Sequence, residues 1–329
     1  MKDKKIRIVL FILIIIAGIY YFSNSKGSLS LRNSSFAIDS PEDITKIVIS
    51  VKDKDLILEK ESDHWKVNNK YMATQKNIEN LLLALSRIDV LSPVSKIEKE
   101  QVASILRADG VAIEVFKNNR SLKNYFVSKP EMNNEKTYMM MLKSSEPFIV
   151  QIPSFKGLVA RFFIVDENYW RNKTVFDYLP QNIKEIEVNY PEYPSKSFRA
   201  MNYNDGTFAI QKLSDNSYLG DFNVDKLARY FTYFQRIVFD DVVRDLNQST
   251  IDSVLHSNPF CIITVEDIKG SINKISVYRK PSQNKFDEFG QKANFDYDRA
   301  YASFNDNKDL IIIQYYIFDP LFKEIDYFR

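Results

Sequence analysis

The chain has 329 residues, 45 Lys and Arg against 43 Asp and Glu, and a hydrophobic content of 45%. The near-neutral balance argues against a nucleic-acid partner, because such proteins carry a basic surplus, and a chain of this length and composition can build real hydrophobic cores. A single cysteine, Cys261, excludes an intramolecular disulfide.

The N-terminus carries the strongest local signal in the chain. A basic stretch, residues 1–5, and Arg7 lead into an apolar run over residues 8–22. A bilayer takes about 20 apolar residues, and a snorkelling Arg7 lengthens the run toward that value. We therefore predict a cytoplasmic segment at 1–5 and a transmembrane helix at 6–22, with the rest of the chain outside the cytoplasm. A cleaved signal peptide is the alternative, although the bulky residues before its cleavage site disfavour it.

After a polar tether at residues 23–40, the hydrophobic pattern predicts a first unit of strands and helices over residues 41–179. Apolar residues at helical spacing follow the candidate N-cap Thr74 and predict an amphipathic helix over 78–88, and a second short helix lies near 99–107. Elsewhere apolar and polar residues alternate, which is typical of strands. The predicted strands lie near 44–49, 56–60, 65–67, 112–116, 122–127, 137–142 and 148–152.

The same order of elements recurs over residues 180–329. Asn223 stands 149 residues after Thr74, again as a candidate N-cap, and the apolar face that follows repeats at the same offset. We interpret the two units as an internal duplication joined near Pro180. The predicted fold class is therefore α+β: an N-terminal transmembrane helix followed by two tandem copies of an antiparallel sheet-plus-helix unit.

The residue types that build most catalytic and metal sites are sparse. The chain has two histidines, His64 and His256, and one cysteine, which are too few for a Cys/His metal cluster. Its eight glycines are widely spaced, so a glycine-rich phosphate loop is not predicted, and there is no Gly-x-Ser-x-Gly elbow. We therefore predict no catalytic residue, no cofactor and no metal site.

Three groups of carboxylates are candidates for acid–base chemistry or cation binding. Solvated surface charge explains each group more simply, because Asp and Glu are mostly exposed. The groups are Asp240 with Asp241, Asp296 with Asp298 on a predicted strand, and Asp166 with Glu167.

An aromatic stretch near the C-terminus is the one positive feature of the sequence. An exposed aromatic platform would hold sugars or a partner protein, whereas aromatic pairs across neighbouring strands explain the stretch more simply. Both interpretations stay open at this point. The candidate binding surface consists of Phe286, Phe289, Phe295, Tyr297 and Tyr301.

A series of packing motifs runs through the chain after residue 40. It comprises Ile44-Thr45-Lys46-Ile47-Val48-Ile49, Leu58-Glu59-Lys60, Trp65-Lys66-Val67, the helix 78–88, Trp170-Arg171-Asn172-Lys173-Thr174 and Ile183-Lys184-Glu185-Ile186. In these motifs the chain resembles a bacterial family known as domain of unknown function 4340. The resemblance implies an inner-membrane, single-pass envelope protein without assigned catalytic residues, often accompanied by ABC transporter components of the gliding or export type.

These expectations lead to one principal hypothesis and two alternatives. The principal hypothesis is a non-catalytic, membrane-tethered extracytoplasmic binding or scaffold module, serving as an accessory of an export or gliding-type envelope complex. Its expected partners are the membrane and other envelope membrane proteins, and not nucleic acid. The alternatives are a periplasmic glycan- or lipid-binding module that uses the aromatic stretch, and a hydrolase of unrecognised type.

Overall fold

The structure, a computed structural model, describes residues 15, 31–52, 54–133, 135–282, 294–305 and 308–329. The chain divides into two compact units, Met1–Asn172 and Lys173–Arg329. This division falls a few residues before Pro180, near which the sequence analysis joined the two predicted units.

The first unit is built on a nine-stranded antiparallel sheet with the strand order β4-β3-β2-β1-β6-β7-β8-β9-β5. Its strands are β1 (Lys46–Val51), β2 (Lys54–Glu61), β3 (His64–Val67), β4 (Tyr71–Met72), β5 (Asp89–Pro93), β6 (Val111–Lys117), β7 (Arg120–Val127), β8 (Thr137–Met141) and β9 (Phe148–Gln151). Its α-helices are α1 (Leu31–Ser34), α2 (Gln75–Arg87), α3 (Lys99–Asp109) and α4 (Glu167–Trp170).

The second unit is built on an eight-stranded antiparallel sheet with the order β13-β12-β11-β16-β17-β18-β19-β15, and a separate two-stranded sheet pairs β10 with β14. Its strands are β10 (Thr174–Phe176), β11 (Ile183–Asn189), β12 (Phe198–Asn202), β13 (Phe208–Lys212), β14 (Ile237–Val238), β15 (Asp241–Val242), β16 (Cys261–Asp267), β17 (Ile272–Tyr278), β18 (Arg299–Phe304) and β19 (Ile311–Gln314). Its α-helices are α5 (Val224–Thr232), α6 (Gln248–Leu255) and α7 (Tyr315–Phe318).

Short 3₁₀ helices punctuate both units, and most of them begin at a proline, whose fixed φ suits the first position of a helix. They span Pro41–Asp43, Pro130–Met132, Val159–Phe162, Pro180–Asn182, Pro194–Lys196 and Ile325–Phe328.

The two large sheets have the same connectivity. When β1 is matched with β11, every neighbour in the eight-stranded sheet has a counterpart in the same place in the nine-stranded sheet, up to the edge strands β15 and β5. Among the described strands of the nine-stranded sheet, β4 alone lacks a counterpart. A helix follows the first strands of each large sheet: α2 follows β4 in the first unit, and α5 follows β13 in the second. A common origin of the two units remains a prediction, which this shared connectivity makes reasonable.

Each sheet buries one face beneath its long helix, because apolar residues alternate along the strands and recur at helical spacing along the helix. In the first unit Ile78, Leu81 and Leu85 of α2 are fully buried. In the second unit the core is more aromatic: the rings of Phe198 and Tyr230 have centroids 5.9 Å apart. The hydroxyl of Tyr230 donates to the carbonyl of Leu321 at 2.8 Å, so this buried polar group has a partner.

The predicted α+β fold class is wrong, because strands greatly outweigh helices in this protein. The described residues form nineteen strands in three sheets, and their longest helix, α2, has only 13 residues, so the protein is mainly antiparallel β. The strands that the sequence analysis did not find are short or lie at edges. One of them is β5, which ends at Pro93. Proline argues against a strand in the sequence, although an edge strand tolerates it.

The predicted membrane architecture is also corrected. Among the described residues, no helix has the length and apolar character needed to cross a bilayer. Of the predicted span 6–22, every residue except Ile15 lies outside the described residues, as do 1–5. The apolar run 8–22 is itself shorter than the about 20 residues that a spanning helix requires. The predictions of a single-pass topology and an inner-membrane location are therefore not carried forward.

Candidate functional site: an aromatic and charged cleft in the second unit

The second unit differs from the first in one long connection. Residues 279–298 join β17 to β18, whereas residues 128–136 make the corresponding connection between β7 and β8. The first unit forms a sheet of the same strand order with the shorter connection. The extra residues of the connection in the second unit are therefore not needed to form the sheet. Insertions of this kind on a regular scaffold are where binding sites commonly lie.

The described ends of this connection run side by side as a short two-stranded ribbon. Pro281 and Phe295 form an isolated antiparallel bridge, and the amide of Asp296 donates to the carbonyl of Lys280 at 2.8 Å. The ammonium of Lys280 also lies 2.6 Å from the carboxylate of Asp296. Two backbone contacts and one ion pair thus fix where the chain enters and leaves the connection, while residues 283–293 lie outside the described residues.

A tight turn then returns the chain to β18. The second carboxylate oxygen of Asp296 accepts from the amides of Asp298 at 2.9 Å and Arg299 at 3.0 Å. Burial opposes ionisation of Asp296, but Lys280 and these two amides outweigh it and lower the pKa of the carboxyl below its ordinary value. Asp296 and Asp298 were predicted to alternate on a strand; they lie instead in this turn.

Two adjoining open clefts lie beside the turn, with volumes of about 360 Å³ and 520 Å³. They share one wall of four side chains, to which helix α7 and the residue after it contribute two. The shared residues are Asp296, Tyr297, Tyr315 and Asp319. The smaller cleft is completed by Arg279, Asn294 and Phe295, and the larger by Asp298, Arg299, Gln314 and Tyr316.

Three aromatic side chains of these clefts face solvent. Tyr316 is 76% exposed, Tyr297 is 66% exposed and Phe295 is 41% exposed. Large aromatic rings normally bury most of their surface, so several exposed rings around one cleft mark a surface that is suited to contact. By contrast, Tyr315 is partly buried, its amide bonds to the carbonyl of Asp298 at 2.9 Å, and burial raises its pKa.

Arg279 is held between two aromatic rings at the edge of the smaller cleft. Its guanidinium carbon lies 5.3 Å from the ring centroid of Phe295 and 5.5 Å from that of Phe260. Both distances allow cation–π attraction. Phe260 is fixed in turn by Phe322, whose ring centroid is 5.3 Å away. The two ring contacts therefore orient the guanidinium, whose planar fork of donors suits hydrogen bonds to the oxygen atoms of a ligand.

The structure separates the five residues of the predicted aromatic surface. Phe295 and Tyr297 line the clefts, whereas Phe286 and Phe289 lie outside the described residues. Tyr301 is only 8% exposed and pairs with Tyr278 across β17 and β18. Both interpretations of the aromatic stretch thus apply to different residues: Tyr301 belongs to a cross-strand pair, and Phe295 and Tyr297 face solvent.

The other candidate residues have local roles. The ring of His256 contacts the carbonyl of Asp252 at 2.6 Å at the end of α6. Asp240 lies 3.5 Å from Arg299. Glu167 accepts from the amide of Asn68 at 2.7 Å. Cys261 is buried, and burial raises the pKa of its thiol. Among the residues that the structure describes, no group of three or more His, Cys, Asp or Glu side chains is placed to hold a metal ion.

Sequence reasoning missed seven residues of the clefts. Three of these, Asn294, Arg299 and Gln314, lie on the same strands or turn as predicted features, and the other four are Arg279, Tyr315, Tyr316 and Asp319. Three of these four follow β19, in a segment whose apolar character predicts buried strand and not a cleft wall. The fourth, Arg279, directly follows β17. A signal existed in the length of the connection that begins at residue 279, because the matching connection of the first unit is shorter.

Comparison with known proteins does not assign the chain to a family, since neither a protein-family model nor a curated protein matches it. The resemblance to domain of unknown function 4340 stays a prediction. The functional argument therefore depends on the cleft.

Proposed function

We propose that this protein is a non-catalytic saccharide-binding module and that the two adjoining clefts of the second unit form its binding site. One observation carries the proposal: the exposed rings of Tyr297 and Tyr316 stand beside carboxylates and guanidinium groups on the same walls. The remaining features of the site, its open shape and its position on an added connection, support the same conclusion.

The combination of groups matches the chemistry of a sugar. The C–H face of a pyranose is apolar and packs against an aromatic ring, while each hydroxyl both donates and accepts hydrogen bonds. Carboxylates such as Asp319 supply acceptors only, and guanidinium groups such as Arg279 and Arg299 supply donors only. A wall that carries both kinds of group beside exposed rings therefore suits a neutral, hydroxyl-rich ligand better than an ion of one sign.

The alternatives from the sequence find less support in this geometry. A lipid site needs an enclosed apolar cavity, whereas both clefts are open and charged side chains line them. A glycosidase needs two carboxyls that are free to act on the substrate, whereas the carboxylate of Asp296 is already engaged by Lys280 and by two backbone amides. A scaffold role beside membrane proteins depended on the predicted anchor and on the family resemblance.

Binding of the purified protein to an array of diverse glycans tests the proposal. We expect selective binding to a subset of neutral saccharides. Tyr297→Ala should reduce the affinity for that subset at least about tenfold, because loss of one stacked ring removes about 1 kcal/mol beyond its buried area.

A matched control separates loss of the site from general damage. Tyr203 is 55% exposed and lies in the turn between β12 and β13, outside both clefts. Tyr203→Ala should therefore bind like the wild type. The proposal fails if no glycan is bound, or if both variants bind as strongly as the wild type.

A further inference from the structure

The division of the site into two clefts carries information about the length of its ligand. The clefts share Tyr297, Tyr315, Asp296 and Asp319, and each has further residues of its own. A ligand the size of one sugar ring would occupy one cleft and leave the other exposed ring without a contact. A ligand that crosses the shared wall touches both.

The two clefts also differ in how the residues that belong to one cleft alone are held. On the smaller side, the guanidinium of Arg279 lies within cation–π distance of the rings of Phe295 and Phe260. On the larger side, Tyr316 is 76% exposed. A pre-ordered site loses less entropy on binding, so the smaller cleft is suited to hold one defined sugar and the larger to add contact area.

We infer, on the basis of the proposed saccharide-binding function, that the ligand is a linear β-1,4-linked chain of gluco-configured sugars that spans both clefts with at least two units. Sugars of this configuration carry equatorial substituents, which leaves flat C–H faces to stack on Tyr297 and Tyr316. The β-1,4 linkage keeps the chain extended, which suits a site made of two adjoining clefts. The unit in the smaller cleft faces Arg279, and the next unit lies against Tyr316.

Isothermal titration with cello- and chito-oligosaccharides of one to six units tests this inference. For the wild type we expect the affinity to rise at least tenfold between one and two or three units and then to level off. Tyr316→Ala should remove most of that rise and leave the affinity for the single sugar unchanged. Arg279→Gln should instead weaken binding of every chain length by a similar factor, because it acts in the cleft that holds the first unit.

The outcomes distinguish this inference from the function on which it rests. Equal affinity for one unit and for six would overturn the chain-spanning ligand, as would a Tyr316→Ala variant with an unchanged length dependence. If neither series binds while other glycans bind on the array, the ligand class is wrong and saccharide binding stands. If no saccharide binds in either experiment, both are wrong. Circular dichroism and thermal midpoints close to those of the wild type verify that each variant is folded.

Discussion

The ammonium of Lys280 lies 2.6 Å from the carboxylate of Asp296 and joins the two ends of the connection that carries the cleft. The two side chains are only 11% and 22% exposed, whereas those of Lys117 and Asp43, a pair of similar length in the first unit, are 47% and 45% exposed. Shielding from water strengthens the attraction and raises the cost of breaking it. The pair therefore links the stability of the ribbon to the shape of the site.

Lys280→Met should destabilise the second unit by about 1–3 kcal/mol, because it leaves the partly buried carboxylate of Asp296 without its cation. The change is measured as a shift in the urea denaturation midpoint. As a control, Lys117→Met, which breaks the exposed pair with Asp43, should cost at most about 0.5 kcal/mol. Equal effects of the two substitutions would show that the ribbon pair has no special role.

Acid should weaken the same structure. Because the folded-state pKa of Asp296 is lowered from 3.8, the ionised form stabilises the fold at pH values above 3.8, and this contribution is lost as the pH falls through the folded-state value. We expect the thermal midpoint of the wild type to fall more steeply below pH 3.8 than that of Asp296→Asn, which starts lower. Parallel pH profiles for the two proteins would contradict this assignment.

The helix α5 offers a test of the core of the second unit. Phe231 is 1% exposed, and Phe231→Asp should cost about 4 kcal/mol or unfold the unit, because it buries an unpaired charge. Val224, at the start of the same helix, is 49% exposed, so Val224→Asp should change stability by less than about 1 kcal/mol. Thermal denaturation measures both. A mild effect of Phe231→Asp would mean that α5 does not cover the sheet as described.

The proposed non-catalytic function predicts that neither histidine is needed. His64, the first residue of β3, lies near the carboxylates of Glu61 and Asp63. His256 lies at the end of α6, and neither histidine lines the clefts. The double variant His64→Ala, His256→Ala should keep the saccharide affinity of the wild type in titration. The hydrolase hypothesis would be favoured instead if the wild type hydrolysed a glycan and the folded double variant released no product from it.

Much of each unit could be predicted from local patterns because one physical rule governs them. Alternation along β11 and helical spacing along α5 follow directly from burying one face. Even there the detail varies: Phe231 is fully buried, while Leu82, at the matching position of α2, is only partly buried. In the first unit the neighbouring Leu81 is the fully buried residue of this pair.

The residues of the cleft were harder to predict because no regular spacing in the sequence connects them. Phe295 and Tyr297 drew attention as aromatics in a polar segment, but Arg279 and Asp319 reach the same place only through the pairing of β17, β18 and β19. From the sequence alone Asp296 is interpreted as surface charge, because its contacts with Lys280 and two backbone amides are visible only in the structure. Sites built from several strand ends depend on tertiary structure, which a single sequence specifies only indirectly.

Hydrogen–deuterium exchange in the presence of the saccharide that binds best on the array tests the central claim most directly. We predict slower exchange in peptides that cover residues 294–299 and 314–319, which form the two clefts, and unchanged exchange throughout the first unit. The Tyr297→Ala variant should show neither protection at the same saccharide concentration. Protection confined to other segments, or equal protection in the wild type and in Tyr297→Ala, would contradict the assignment of these clefts as the saccharide-binding site.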